Sequence, residues 1–159
     1  MQLKTILNRL GMQSGFVYGD VKSCGDAIEI ELMPRKGSKP ICSGCGERGP
    51  GYDRLSTRRF EYVPLWPLAV FFVYALRRVS CADCGVVVER VPWAFGKNQQ
   101  TKSYQIFLAT WAKRLSWQEV ATIFGTCWDS VYRAIHRVVS WGIVHREVSG
   151  LESLLCSDN

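Results

Sequence analysis

A chain of 159 residues has room for one medium domain or two small ones, and 47% hydrophobic content is enough for a packed core. Its longest uncharged, mainly apolar run, residues 62–76, falls short of the roughly 20 residues that cross a bilayer, and Lys4, Asn8 and Arg9 interrupt any signal-peptide core, so a membrane-spanning or secreted class is not expected and a cytoplasmic location is. The net charge of +6 is concentrated in the middle, with ten bases against five acids over residues 35–90 and seven against two over 97–146, a balance that suits a polyanionic partner rather than a small-molecule substrate.

In chain order, residues 1–15 mix polar and apolar types. Phe16 and Tyr18, then Ile28, Ile30 and Leu32, recur every second residue, the period of strands with one wet face, and Gly25 marks the turn between them. Pro34 to Pro40 is a polar link carrying Arg35, Lys36 and Lys39. It leads into Cys42-Ser43-Gly44-Cys45, matched by Cys81-Ala82-Asp83-Cys84 with 35 residues between the two pairs. Zinc takes four soft ligands at the corners of a tetrahedron, and a two-residue gap lets one turn offer two sulfurs without strain. A Zn2+ ion held by Cys42, Cys45, Cys81 and Cys84 would have no position left for water or substrate, which makes it structural. Redox-active pairs or disulfides are the competing readings, and reduced cytoplasmic thiols favour the metal. Cys24, Cys127 and Cys156 lack partners at ligand spacing and read as plain thiols.

Between the cysteine pairs, residues 59–66 and 70–79 are rich in aromatic and β-branched types and predict a long antiparallel hairpin, with Pro64 at an edge or bulge. Val86 to Val91 predicts a further short strand that Pro92 ends. Arg58, Arg59, Arg77 and Arg78 fall on or beside the hairpin. They either grip phosphates or keep an apolar ribbon soluble and block edge pairing.

From Gly96 the pattern turns helical. Tyr104, Phe107, Leu108, Trp111 and Leu115 form one apolar stripe on a helix that starts near Thr101 or Lys102. Ser116 with Glu119 is a capping box, Val120, Ala121 and Phe124 continue the buried face, and Gly125 closes the second helix. A third helix is expected from Trp128 to Trp141, ended by Gly142. Val131, Ala134, Ile135, Val138 and Trp141 share its apolar side, and Trp117 is also assigned to the core. Asp129, Tyr132, Arg133, His136 and Arg137 lie opposite, with Trp128 at the tip. Two guanidiniums, an imidazole and a phenol along one strip suit a DNA major groove, so this segment reads as a helix-turn-helix. His136 and His145 lack second ligands at usable spacing and are not read as metal sites.

In order, the double CxxC, the "RRFEYVPLW" strand, the strand ending in "RRVSCADCG" and "SWQEVATIFG…WDSVYRAIHRVV" resemble the N-terminal region of bacterial insertion-sequence transposases of the ISL-three family. The resemblance implies an N-terminal zinc ribbon and a helix-turn-helix that recognise the element's terminal inverted repeats in double-stranded DNA, ahead of an Asp-Asp-Glu catalytic domain. It places the zinc on the four paired cysteines and DNA reading on the third helix, where Trp128, Asp129, Val131 and Arg133 match the motif. The expected fold class is therefore α+β, a small antiparallel β zinc-ribbon domain followed by an all-α helix-turn-helix domain. The corresponding layout is an N-terminal segment 1–15, a β-rich domain 16–94, a helical domain 98–145 and a tail 146–159. Beyond residue 119 the acids are only Asp129, Glu147, Glu152 and Asp158, too few in strand-rich context for a two-metal site. No catalytic residues and no enzyme activity are expected of this chain alone. Three functions remain open: a transposase-like DNA-binding module, a DNA-binding subunit whose catalysis comes from another chain, and a non-catalytic zinc-ribbon module that contacts protein or RNA or regulates transcription. A homodimer is compatible with recognition helices spaced to meet successive grooves.

Overall fold

The computed structural model describes residues 15–65 and 67–146. The chain divides into two compact units between Tyr104 and Gln105. The first is built on a sheet. Strands β1 (Phe16–Cys24) and β2 (Ala27–Pro34) form a hairpin whose two-residue turn contains Gly25 at φ 59°, a left-handed conformation that a β-carbon would strain. Strands β3 (Gly51–Leu65) and β4 (Leu68–Cys81) form the long antiparallel hairpin expected between the cysteine pairs, and β5 (Gly85–Val88) folds back on the end of β4.

The strand order is β1-β2-β4-β3, with β5 also paired to β4. β2 runs parallel to β4, with Ile30 opposite Phe72, while Phe60 of β3 lies opposite Phe72 on its other side. These three side chains are at most 1% exposed and form a row across three strands. Burial in β4 alternates with period two from Val70 through Phe72 and Tyr74 to Leu76, because successive side chains leave opposite faces of a strand. Val91, Trp93 and Ala94, which follow β5, pack against that apolar face. Trp93 meets Phe16 and Tyr74 edge-on at centroid distances of 4.7 and 5.3 Å. β3 is an edge strand with three register shifts, one of them spanning Pro64. Bulges and a proline discourage pairing with a foreign strand.

In the second unit, α1 (Lys102–Trp111) runs across the division, followed by α2 (Trp117–Ile123) and α3 (Trp128–Val144). Ser116 caps α2 through the full reciprocal box with Glu119. The exit is a Schellman turn: Gly125, at φ 63°, donates to the Thr122 carbonyl, and Thr126 to that of Ala121. Val120, Ala121, Val131 and Ala134 are buried.

This overturns the expected small antiparallel ribbon followed by an all-α helix-turn-helix domain. The sheet is larger than a ribbon and mixed, five strands including the parallel β2–β4 pair, and it dominates the chain. Among the described residues there are three helices, one shared across the division, and they do not make the expected domain. Alternation along a strand reports which face is buried but not which strand lies alongside, so the β2–β4 pairing had no local signature. Two details of α3 also differ. Gly142 does not end it, and Trp141 is 59% exposed, stacked on His145 instead of packed inside. With 17 residues α3 is about 25 Å long, whereas the seven residues of α2 cover about 10 Å, so the last turns of α3 outrun the helix it packs on. Among the described residues no helix is long and apolar enough to cross a membrane.

A buried ion pair ties β4 to the segment after β5. Glu89, 4% exposed, accepts from the Tyr74 hydroxyl at 2.6 Å, from the Arg77 backbone amide at 2.7 Å and from Arg77 Nε at 2.9 Å. Arg77 also donates to the Ser38 carbonyl at 3.0 Å. Burial, and then the hydrogen bond to Glu89, push the Tyr74 hydroxyl well above the usual phenol range. Replacing Glu89 by Ala strands a buried guanidinium and is expected to destabilise the first unit by about 3–5 kcal/mol. Urea denaturation of metal-loaded protein measures this. The double replacement Arg77→Met/Glu89→Leu should recover most of the loss, and a loss from Glu89→Ala below about 1 kcal/mol would show that the pair does not hold the fold.

Candidate functional site

The two cysteine turns meet because the hairpin and its flanks are hydrogen-bonded at the same end. In the first turn Cys42 N–H donates to the Glu47 carbonyl at 2.7 Å and Gly46 N–H to the Cys42 carbonyl at 3.1 Å. In the second, Cys81 closes β4 and pairs with Gly85 at the start of β5. A bridge between Cys42 and Glu89, and the Arg90 N–H donating to the Ile41 carbonyl at 2.8 Å, fasten the first turn beside the second.

The Sγ atoms of Cys42, Cys45, Cys81 and Cys84 consequently lie within 4.8 Å of one another. Cys45 and Cys81 approach to 3.5 Å. Four sulfurs around one ion at about 2.3 Å would be about 3.8 Å apart, so this cluster fits a metal ion with four thiolate ligands. The chain is shaped to that end. A β-carbon on Gly44 would sit 2.8 Å from the Cys84 sulfur, and Gly46 and Gly85, each following the second cysteine of its pair, take φ of 83° and 72°. The Cys45 amide, aimed at the Cys42 sulfur, is the chief reason that thiol is drawn down to about 6, with the Gly44 amide acting in the same sense, while Cys45, despite the Glu47 amide, and Cys84 are pushed up by the neighbouring thiols. Amides pointing at sulfur favour the thiolate, the form that binds metal.

The hairpin arginines go to different fates. Arg77 is committed to Glu89, with only 12% of its side chain exposed. Arg78 pairs with Asp53 and packs on Tyr52. Arg59 pairs with Glu29 at 2.9 Å and lies over the Phe71 ring at 4.0 Å. Arg58, half-buried, points to the face that carries Leu55 and Leu76. Of the four, three are therefore engaged by carboxylates, and Arg77 is a structural residue.

On α3 the sequence-assigned strip is exposed along its length. Trp128 and Tyr132 stack with centroids 5.5 Å apart and planes 4° from parallel, Tyr132 lies 6.0 Å from the His136 ring, and Trp117, half-buried, leans on Trp128 and Tyr132. Arg133 pairs with Asp129 one turn back, their side chains 65% and 61% exposed. Arg137 is exposed on the same helix. Cys127 occupies the N-cap position and makes no side-chain cap; its thiol donates to Ser130 instead.

Sequence reasoning passed over Glu89 and the cations Arg48 and Arg90, which flank the first cysteine turn. A charged residue inside the β-branched run Val86 to Val91 was the available signal for Glu89, since an acid in a buried strand needs a partner.

No protein-family model and no solved structure matches the chain. Among curated proteins it is similar to the transposase for insertion sequence element IS1557 of Mycobacterium tuberculosis, in strain CDC 1551 / Oshkosh and in strain ATCC 25618 / H37Rv. In both the identity is 24% over 152 residues, covering 91% of this chain and 34% of the relative. The chain thus spans about a third of the length of the curated relatives it matches.

Proposed function

We propose that this chain is the DNA-binding part of a transposase-like protein, recognising sequences at the ends of a mobile element. The observation that carries this reading is the exposed strip on α3, where Trp128 stacks on Tyr132 and the tilted His136 ring follows, beside Arg133 and Arg137. An arginine in the major groove bonds guanine through two donors, and the aromatic groups offer apolar contact to thymine methyls and hydrogen bonds to phosphate. The similarity to a transposase and the basic balance of the chain support the same partner. In the free protein Arg133 is held by Asp129. That pair is solvent-exposed, so exchanging it for a base edge costs little.

Zinc is the metal this reading assigns to Cys42, Cys45, Cys81 and Cys84. It is structural, because four thiolates complete its tetrahedron. Bound zinc holds the two turns together and with them the end of the β4–β5 hairpin. Binding is the role these surfaces support, and strand cleavage is not assigned to them.

The purified chain should contain one zinc per molecule by elemental analysis, and Gly44→Ala, which drives a methyl into the Cys84 sulfur, should weaken zinc affinity by about 10-fold or more. Metal-free protein, or a disulfide within either pair, would remove the zinc assignment. Selection of bound duplexes from a random pool should yield a defined site. Arg133→Ala and Arg137→Ala should each cost about 1–3 kcal/mol of discrimination between that site and random DNA. A chain that shows no preference among duplexes would overturn the reading. A supercoiled plasmid with magnesium should remain uncut by this chain alone.

A further inference from the structure

The first unit contains a cleft of about 1010 Å3 in which cations surround a largely apolar lining. Arg35, Lys36 and Lys39 enter it from the loop after β2. Arg48 comes from the first cysteine turn, Arg58 from β3 and Arg90 from the segment after β5. Lys97 and Lys102 close the remaining side. Five separated stretches of chain thus deliver eight cations to one concavity, in addition to Arg77. Among the described lining residues the only carboxylate is Glu89, and Arg77 already answers it. Like charges brought together repel, and a fold that gathers them without counter-charges leaves a strong positive field.

The Lys102 ammonium is drawn below its usual range, first by burial and then by the charge of Arg90. It also sits 4.1 Å over the ring of Phe95, a partly exposed aromatic at the rim. The floor is apolar, with Phe16, Leu55, Leu76 and Val91, and an apolar floor sharpens the attraction of the cations above it. Small-molecule pockets are lined mainly by apolar groups with a few polar ones to orient the ligand, in volumes of about 300–1,000 Å3. This cleft is as large as the largest of those, and its polar groups are nearly all of one sign. Such a lining suits an extended polyanion better than a compact ligand.

We infer that this cleft grips the sugar-phosphate backbone of DNA, as a second contact surface that holds without reading sequence. The identity of the polyanion rests on the DNA-binding reading given above; the site itself lies in the other unit from α3. Backbone contacts fix a protein on DNA and carry the salt dependence, while base contacts carry the choice of site. The cleft is also coupled to the cysteine cluster. Arg48 belongs to the first turn, and Arg90 lies against it, since a β-carbon on Gly46 would come within 3.4 Å of the Arg90 guanidinium. Holding the turn in place therefore shapes one wall of the cleft.

The test is the triple variant Lys36→Gln/Lys39→Gln/Lys97→Gln in the full chain, at three exposed positions, with thermal melting and zinc content checked against the parent. Binding to a 30-base-pair duplex is followed by fluorescence anisotropy across a salt series. Each lost phosphate contact removes about 0.9 from the slope of log K against log salt, so the triple variant should lower the slope by about 2–3 and the affinity at 100 mM salt by about 10-fold or more. The ratio of preferred site to random duplex should stay unchanged, and Lys22→Gln, an exposed cation of β1 outside the cleft, should move neither quantity. An unchanged slope in a folded, zinc-loaded triple variant would overturn the cleft assignment while leaving DNA reading by α3 intact. Tenfold tighter binding to RNA of the same sequence, or displacement of the duplex by 1 mM ATP, would also overturn it. Failure of the parent chain to bind any duplex would instead remove the DNA reading as a whole.

Discussion

The structure depends on one meeting: two cysteine turns separated by 35 residues of sequence must come within the reach of a single ion. The β3/β4 hairpin makes this possible, because it leaves from just beyond the first turn and returns at Cys81. The hairpin alone would bring two chain ends together only loosely. The finer alignment comes from the bridge between Cys42 and Glu89 and from Arg90 bonding the Ile41 carbonyl, which register the first turn against the strand that leaves the second. Glu89 then has two duties. Its backbone holds the first turn and its carboxylate anchors Arg77 and Tyr74 of β4. A buried carboxylate is tolerable only when its oxygens are answered, and here three donors answer them. A buried ion pair of this kind adds little net stability over an apolar substitute. Its value is registry, since Arg77 and Glu89 satisfy each other in only one alignment of β4 with the segment after β5.

Positive charge is sorted by the same geometry. On the sheet, Arg78 faces Asp53 of the neighbouring β3, and Arg59 reaches across β4 to Glu29 of β2; both lie over aromatic rings, so their long stems cover apolar surface while their heads stay wet. Those arginines protect the sheet. Among the described lining of the cleft Glu89, taken by Arg77, is the one acid, and the price of the other cations' mutual repulsion is met by the packing of the sheet beneath them. The number of arginines in a segment is therefore a poor guide to which of them face a partner. Sign and exposure at each position decide it.

Much of the candidate metal centre was legible from spacing alone, because a CxxC turn is a local device and two of them at either end of a hairpin leave few alternatives. The hairpin, the capping box at Ser116 and the left-handed Gly125 were equally local, and the structure contains each of them. The mixed sheet was not legible. The parallel β2–β4 pair joins residues about 40 apart through a crossover that itself contains a cysteine turn and β3, and no pattern within β2 names β4 as its neighbour. Trp141 was misplaced for a related reason. Helical period puts it on the apolar side of α3, but whether that side is covered depends on how far α2 extends. Arg77 looked like its neighbour Arg78, yet Arg77 meets the buried Glu89 and Arg78 the exposed Asp53.

The separation between holding and reading has a physical basis in these surfaces. A recognition strip must exchange its contacts freely to sample sequence, and the exposed Arg133–Asp129 pair, screened by water, is loose enough to do so. A surface that only holds must present charge whatever the sequence, and the cleft gathers its cations from five stretches of chain in the unit built on the sheet. If charge on the cleft sets residence on DNA and α3 sets choice, the two properties are separable by mutation, because neither surface shares a residue with the other.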